Sequence, residues 1–312
     1  MRTHLNSDTT ARLFHACSGC GGSCQGVVVP LLDKKEVRRI RGFGRRLGLN
    51  RAVIDDKIQM VDGHCPFLGD DNLCQIHARY GSDAKPTVCK QFPMVAIRAE
   101  EGLRVGIDPA CYSAFNTHKD GPLVASGSLI STTTTLKPPQ HDFEKRFLNQ
   151  CEVNGMTLGI LAFWLADRPP TSKTHLPEGF EDAVVNRVKE ADLAHWIETN
   201  PVGRSIQSAL MPTLRFTIED QPSQWDQLEP AAQQWAVEAI RRVIFLRLAL
   251  SIPTVAGVAL LLLSGAVLCG RANPKGSAFA HAYSGWLRAI RFRHFWTRFT
   301  PDSATMQRLL HP

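Results

Sequence analysis

The sequence lacks the compact motifs of phosphate, acyl and zinc-protease chemistry. It has no G-x4-G-K-[ST] loop, no Gly-rich strand–turn–helix fingerprint, no G-x-S-x-G elbow and no H-E-x-x-H helix. Enzymes built on those motifs are therefore not expected. No internal repeat stands out, which argues against solenoid, collagen-like and coiled-coil architectures. The opening residues, MRTHLNSDTTARLFHACSG, hold no apolar stretch and no small-residue cleavage site, so a cytoplasmic chain is expected. Structural disulfides are rare in that reducing setting, and nine cysteines, an odd total, fit a closed disulfide framework poorly.

What the sequence does have is cysteine crowded at one end. Seven of the nine lie within the first 111 residues. Cys17, Cys20 and Cys24 follow a C-x2-C-x3-C pattern among glycines, whose freedom lets a loop wrap tightly. Cys65 and Cys74 stand in HCPFLGDDNLCQIH, Cys89 in KPTVCKQFP and Cys111 in GIDPACY. Thiolates select zinc, copper(I) or iron–sulfur clusters, whereas magnesium and calcium want oxygen. Four thiolates close a structural zinc site or hold one [4Fe–4S] cluster. Seven therefore leave three over, for a second site with His64, His77 or His15, or for a reactive thiol. Cys151 and Cys269, each alone in an apolar helical stretch, read as small buried hydrophobes.

With 312 residues the chain has room for roughly two domains. The stretch KDGPLVASGSLISTTTTLKPPQHD, rich in Gly, Ser, Thr and Pro, is the best boundary. Before it, Val27–Leu32 has strand character, and Asp33 with Glu36 forms a capping box for a basic helix that Gly42 and Gly44 should end early. The alternation in MVAIRA–EEG–LRVGID predicts a hairpin over 94–108. After the boundary, apolar residues at three- and four-residue spacing predict helices over 142–167, 179–199, 202–217, 224–250, 253–269 and 279–298. The expected fold class is α+β: a small cysteine-rich metal-binding domain over 1–120, a linker over 121–141 and an all-helical domain over 142–312.

Leu248 to Gly270 is a 23-residue run without a charge. Its length suits a membrane span. Pro253 fits a first helical turn and Gly270 a helix end. The helix between them is short for a bilayer, basic residues flank both sides, and a fully buried core helix is expected instead.

The net charge is +7. Lys34, Lys35, Arg38, Arg39, Arg41, Arg45, Arg46 and Arg51 face one acid, Glu36, within 18 residues. Near the other end, GWLRAIRFRHFWTRF interleaves arginine with aromatics. Such patches suit an acidic protein surface, or nucleic acid through phosphate neutralisation and base stacking. Equally, Trp286, Ile290 and His294 recur with the spacing of a buried helical stripe.

Taken in order, Cys17-x2-Cys20-x3-Cys24, Cys65-Pro66-Phe67-Leu68, Cys74-Gln75-Ile76-His77, Lys85-Pro86 and Cys89-Lys90-Gln91-Phe92-Pro93 resemble the YkgJ-type cysteine-cluster proteins, a family of zinc- or iron-chelating domains. The resemblance covers residues 14–112. Gln25 stands where the family usually has a second cysteine after Cys24, and Lys85 and Lys90 replace arginines. The related flagellin lysine-N-methylase (FliB) has a similar plan, a cysteine cluster before a helical part. The resemblance implies a metal centre, an iron–sulfur cluster or zinc, held by Cys17, Cys20, Cys24, Cys65, Cys74, Cys89 and Cys111. In the methylase branch it further implies methyl transfer from S-adenosylmethionine to a lysine of a protein substrate. The alternative is a non-catalytic metal-binding module that docks on an acidic protein or nucleic acid.

Overall fold

The computed structural model describes residues 13–25, 29–118, 121–123, 129–153, 155–167, 175–249 and 252–299. Val27 and Val28 of the expected first strand, and parts of the 121–141 linker, lie outside that set.

Two hydrophobic cores organise the chain. The smaller gathers Val29, Val37, Ile40, Phe43, Ile58, Phe67 and Ile76, with Cys65, Cys74 and Cys89 packed at its edge. Its frame is a three-stranded antiparallel sheet of β1 (Val29–Pro30), β3 (Lys57–Ile58) and β2 (Val53–Ile54), in that order. Helix α1 (Lys34–Arg46) packs on β2. Its N-cap is Asp33, whose carboxylate accepts from the Glu36 amide at 2.7 Å. The reciprocal half of the capping box is absent, because Glu36 turns to other partners.

Contrary to the sequence expectation, α1 runs through Gly42 and Gly44 to Arg46. Gly44 serves close approach rather than termination: a Cβ there would stand 2.9 Å from the Leu49 carbonyl. The chain leaves the helix at Gly48, with φ at 76°.

The larger core joins the hairpin to the C-terminal helices. Strands β4 (Met94–Ala99) and β5 (Gly102–Ile107) pair from Met94↔Ile107 to Ala99↔Gly102, as the alternation implied. A third strand, β6 (Ser131–Thr133), adds in parallel to β4 from within the expected linker. Met94, Ile107, Ala110, Cys111 and Ala114 belong to this larger core. Residues 94–118 thus pack with the helices rather than with the small sheet.

Short helices α2 (Gln75–Tyr80), α3 (Thr87–Gln91) and α4 (Tyr112–Thr117) each follow or carry a cysteine. The C-terminal part comprises α5 (Pro138–Cys151), α6 (Leu158–Leu165), α7 (Phe180–Glu190), α8 (Leu193–Thr199), α9 (Pro201–Ile218), α10 (Pro230–Phe245), α11 (Val255–Ala272), α12 (Gly276–Ala289) and α13 (Arg293–Phe299). Three of the expected helices are each two. The split of 179–199 falls at Asp192, whose φ of 49° no α-helix continues. The helix expected over 224–250 starts at Pro230, after a 3-10 turn at Trp225–Gln227.

The apolar run folds as α11, capped by Thr254 rather than opened by Pro253. It touches α5, α6, α7, α9, α10 and α12, and 89% of it is buried. This is the core helix of the fold. Gly270 is inside it, not past its end, and a Cβ there would meet Trp225 and Leu228 at 3.0 Å. The helix ends instead at Ala272, beyond which Asn273 leaves helical geometry.

Candidate metal centre

Loop 17–24 starts the site. Gly21, with φ at 65°, turns the chain so tightly that a Cβ would meet Asn72 at 3.0 Å. The Cys24 amide then donates to the Gly21 carbonyl at 2.8 Å, closing a 3-10 turn. The second block is tied directly to the first: Cys65 N–H donates to the Cys24 carbonyl at 2.8 Å, and Gln25 bridges to His64. Leu68 N–H donates back to Cys65, and Gln75 N–H to Phe67, which drops the fully buried Phe67 ring into the small core. Leu68 also bridges to Cys74, the residue that precedes α2.

Cys89 arrives on α3, and Glu36 fixes that helix. Its Oε1 accepts from the Thr87 amide at 2.7 Å and the Thr87 hydroxyl at 2.8 Å, while its Oε2 accepts from Leu32 N–H at 2.8 Å. Neither the cysteine spacing nor the capping box foretold this clamp. Its sole sequence signal is an acid among eight cations.

These constraints bring four sulfurs together. A charge on Cys74 opposes ionisation of Cys24, Cys65 and Cys89, one on Cys24 opposes that of Cys65 and Cys89, and one on Cys89 that of Cys65. Burial pushes the Cys24 thiol up to about 11 and the Cys65 and Cys89 thiols up to about 12, and the neighbouring sulfurs add to the rise. Lys85 acts the other way on Cys24 and Cys89. Such a group of donors stays protonated until a cation arrives, which then deprotonates it outright.

The other three cysteines of the N-terminal part divide. Cys17 is exposed and within electrostatic reach of Cys24. Cys20 reaches toward both Cys24 and the buried Cys111. Burial also pushes the Cys111 thiol up to about 11, with the Asp108 carboxylate adding to the rise. Ser18 fastens this side: its amide donates to Ser113 Oγ at 3.1 Å, and the two hydroxyls lie 2.7 Å apart. Asp108 is held by Arg291, at 2.6 and 2.8 Å. All nine cysteines are free, and Cys151 and Cys269 are buried away from the cluster, as expected of small hydrophobes.

The candidate histidines contribute little. His64 and His77 are exposed. His15 lies 3.3 Å from the Thr117 hydroxyl, and burial lowers its pKa. Elsewhere, ligand atoms of Glu100, Glu101 and His141 lie within 4.8 Å of one another. Their carboxylates already serve Arg247 and Arg104, so this group is an ion-pair cluster. In the Arg- and aromatic-rich stretch, Trp286, Phe295, Trp296 and Phe299 are buried in the larger core.

Comparison with known proteins adds one match. No curated protein and no solved structure matches the chain. Residues 16–112 match the family described as "CxxCxxCC: Putative zinc- or iron-chelating domain", which supports reading the chain as a metal-binding cysteine-cluster protein.

Proposed function

We propose that the quartet Cys24, Cys65, Cys74 and Cys89 holds the metal centre, and that its metal is an iron–sulfur cluster of the [4Fe–4S] type. The carrying observation is that Cys65 lies within electrostatic reach of Cys24, Cys74 and Cys89, and that Cys24 and Cys89 each lie within reach of Cys74. The spread of the donors favours a cluster over a lone ion. A tetrahedral zinc with bonds of about 2.3 Å would draw its sulfurs to about 3.8 Å from one another. Among the described residues, no three cysteine sulfurs lie within 4.8 Å of one another. A cubane gives each thiolate its own iron and so accepts wider spacing.

When bound, such a cluster supplies one-electron chemistry or a Lewis-acidic iron. The chain's part is to set four thiols at the edge of a small core and to hold the Cys89 helix through Glu36. The reducing setting in which nine free thiols persist is the cytoplasm. The methyl transfer from S-adenosylmethionine implied by the flagellin-methylase resemblance gains no support from the match, and forms no part of this function.

Metal, iron and sulfide content of protein purified without air tests the reading. About four irons and four sulfides per chain, with broad visible absorption, are expected. Colourless protein with stoichiometric zinc would replace the cluster with a structural ion, and metal-free protein would remove the centre altogether.

A second reading concerns partners, and rests on α1. Lys34, Arg38, Arg41 and Arg45 recur at helical spacing along one face, and all four are exposed. That face suits docking on an acidic protein surface. Binding to an acidic polypeptide that weakens steeply with salt, and weakens again when the four residues are changed to glutamine, is the expected behaviour.

A further inference from the structure

Helix α12 carries a buried cation to the cysteine loop. Arg288 is 8% exposed. It donates from Nη1 to the Gly22 carbonyl at 2.6 Å and from Nε to the Ser284 carbonyl at 3.2 Å. Both partners are neutral. Among the described residues, no carboxylate stands within ion-pair distance of it. The nearest acidic influence, Asp108, is occupied on both oxygens by Arg291. A buried cation with only carbonyl partners is costly unless an anion lies close by.

The groups beside it are sulfurs. A Cβ at Gly22 would stand 3.5 Å from Arg288 Nη1 and 3.5 Å from Cys20 Sγ, so the guanidinium and the sulfur flank a single point. Cys111 lies within reach of the same guanidinium, at the start of α4, against which α12 packs. The Ser18–Ser113 hydrogen bonds hold the loop bearing Cys20 to that helix.

We propose that Arg288, supplied by the C-terminal helices, is the buried cation that offsets the negative charge of the metal-loaded cysteine centre, acting through Cys20 and Cys111, the sulfurs beside its guanidinium. This rests on the reading that the cysteine part holds a metal. It goes beyond that reading by giving the helical part a role in the centre. The family match stops at residue 112 and does not extend to Arg288. Arg288 is a positioning residue here: it acts on the centre through Cys20 and Cys111 and touches no reacting atom.

The test uses the full chain loaded with its own metal, and reads metal loss to a competing chelator alongside far-UV circular dichroism. Arg288→Gln keeps a donor for the Gly22 carbonyl but removes the charge, whereas Arg288→Lys keeps the charge. The glutamine variant should hold metal roughly 10–100-fold less tightly, the range seen when supporting groups around metal ligands are removed. The lysine variant should stay within a few-fold of the unaltered protein. Cys20→Ser should also weaken retention, and adding Arg288→Gln to it should cost little more, since the two groups act on each other.

A folded glutamine variant that retains metal normally would overturn the proposal. Equal losses in the glutamine and lysine variants would also overturn it, by assigning the effect to packing. Cys20→Ser lies on an exposed loop and provides a test should the arginine variants not fold; normal retention there sinks the idea by itself. If the unaltered protein takes up no metal, the function proposed above fails and this inference fails with it. If it does take up metal and Arg288→Gln changes nothing, only this inference falls.

Discussion

Glu36 and Thr87, 51 positions apart, are joined by two hydrogen bonds of 2.7 and 2.8 Å to one carboxylate oxygen. Through that contact the basic helix α1 sets the start of α3, and with it the position of Cys89. Burial by itself would raise the Glu36 pKa, but the donors from Leu32 and Thr87, aided by Arg39, outweigh it and hold the carboxyl below 4.5. Because the folded value lies below the unfolded one, this clamp is fully present above about pH 4.5 and is lost as pH falls through the folded value. Glu36→Ala should cost about 2–3 kcal/mol, leaving buried donors unmet. Urea midpoints at pH 7 and at pH 4 should show a smaller penalty at the lower pH.

The two glycines of α1 should respond oppositely to alanine. A Cβ at Gly44 would stand 2.9 Å from the Leu49 carbonyl, a backbone atom that cannot swing aside. Gly44→Ala should therefore destabilise by about 1–3 kcal/mol. At Gly42 a Cβ would meet only the tip of Arg46, at 3.9 Å. Gly42→Ala should stabilise by about 0.5–1 kcal/mol through helix propensity. Denaturant titration of the two variants decides it, and destabilisation by both would refute this account of the helix.

Glu144, wholly buried, takes Arg104 Nη2 at 3.0 Å and Arg247 Nε at 2.9 Å. Arg104 comes from β5, Glu144 from α5 and Arg247 from the turn after α10, so this pair of bridges ties the hairpin to the helices. Glu144→Leu would leave two buried cations short of a partner and should cost about 3–5 kcal/mol. The loss should appear in the main thermal transition, since it lies in the larger core. An unchanged melting temperature would contradict the assignment.

Metal uptake should be steeply pH-dependent. The Cys24, Cys65 and Cys89 thiols, pushed up to between about 11 and 12, are protonated at neutral pH. Metal binding must expel those protons, so affinity falls as pH falls. Calorimetric titration of metal-free protein with zinc, in buffers of different ionisation enthalpy, should report release of about three protons from these thiols. Release of fewer than two would show that the quartet does not bind as a unit. Serine at Cys24, Cys65, Cys74 or Cys89 should abolish uptake, while serine at Cys151 or Cys269 should not.

Much of the local structure was legible in the sequence because it is governed by short-range rules. Asp33 capped α1, alternation gave the 94–108 hairpin, and the uncharged run became a buried helix. The cysteine blocks marked the candidate ligands, since thiolates are the donors a soft metal selects. Less visible was what each glycine and acid is for. Gly44 and Gly270 look like stops, yet both sit inside helices at close contacts that exist only once Leu49 and Trp225 have folded against them.

Sequence alone therefore marked which residues could bind metal and where the main helical segments and the hairpin lie, through donor chemistry, capping and periodicity. Tertiary structure alone decided which thiols meet. Spacing in the chain grouped Cys17, Cys20 and Cys24. The folded chain keeps Cys17 and Cys20 within reach of Cys24, adds Cys65, Cys74 and Cys89 beside it, and sets Cys20 also against Cys111 and Arg288. Burying two separate apolar cores brings those distant segments together, and no local rule encodes the pairing.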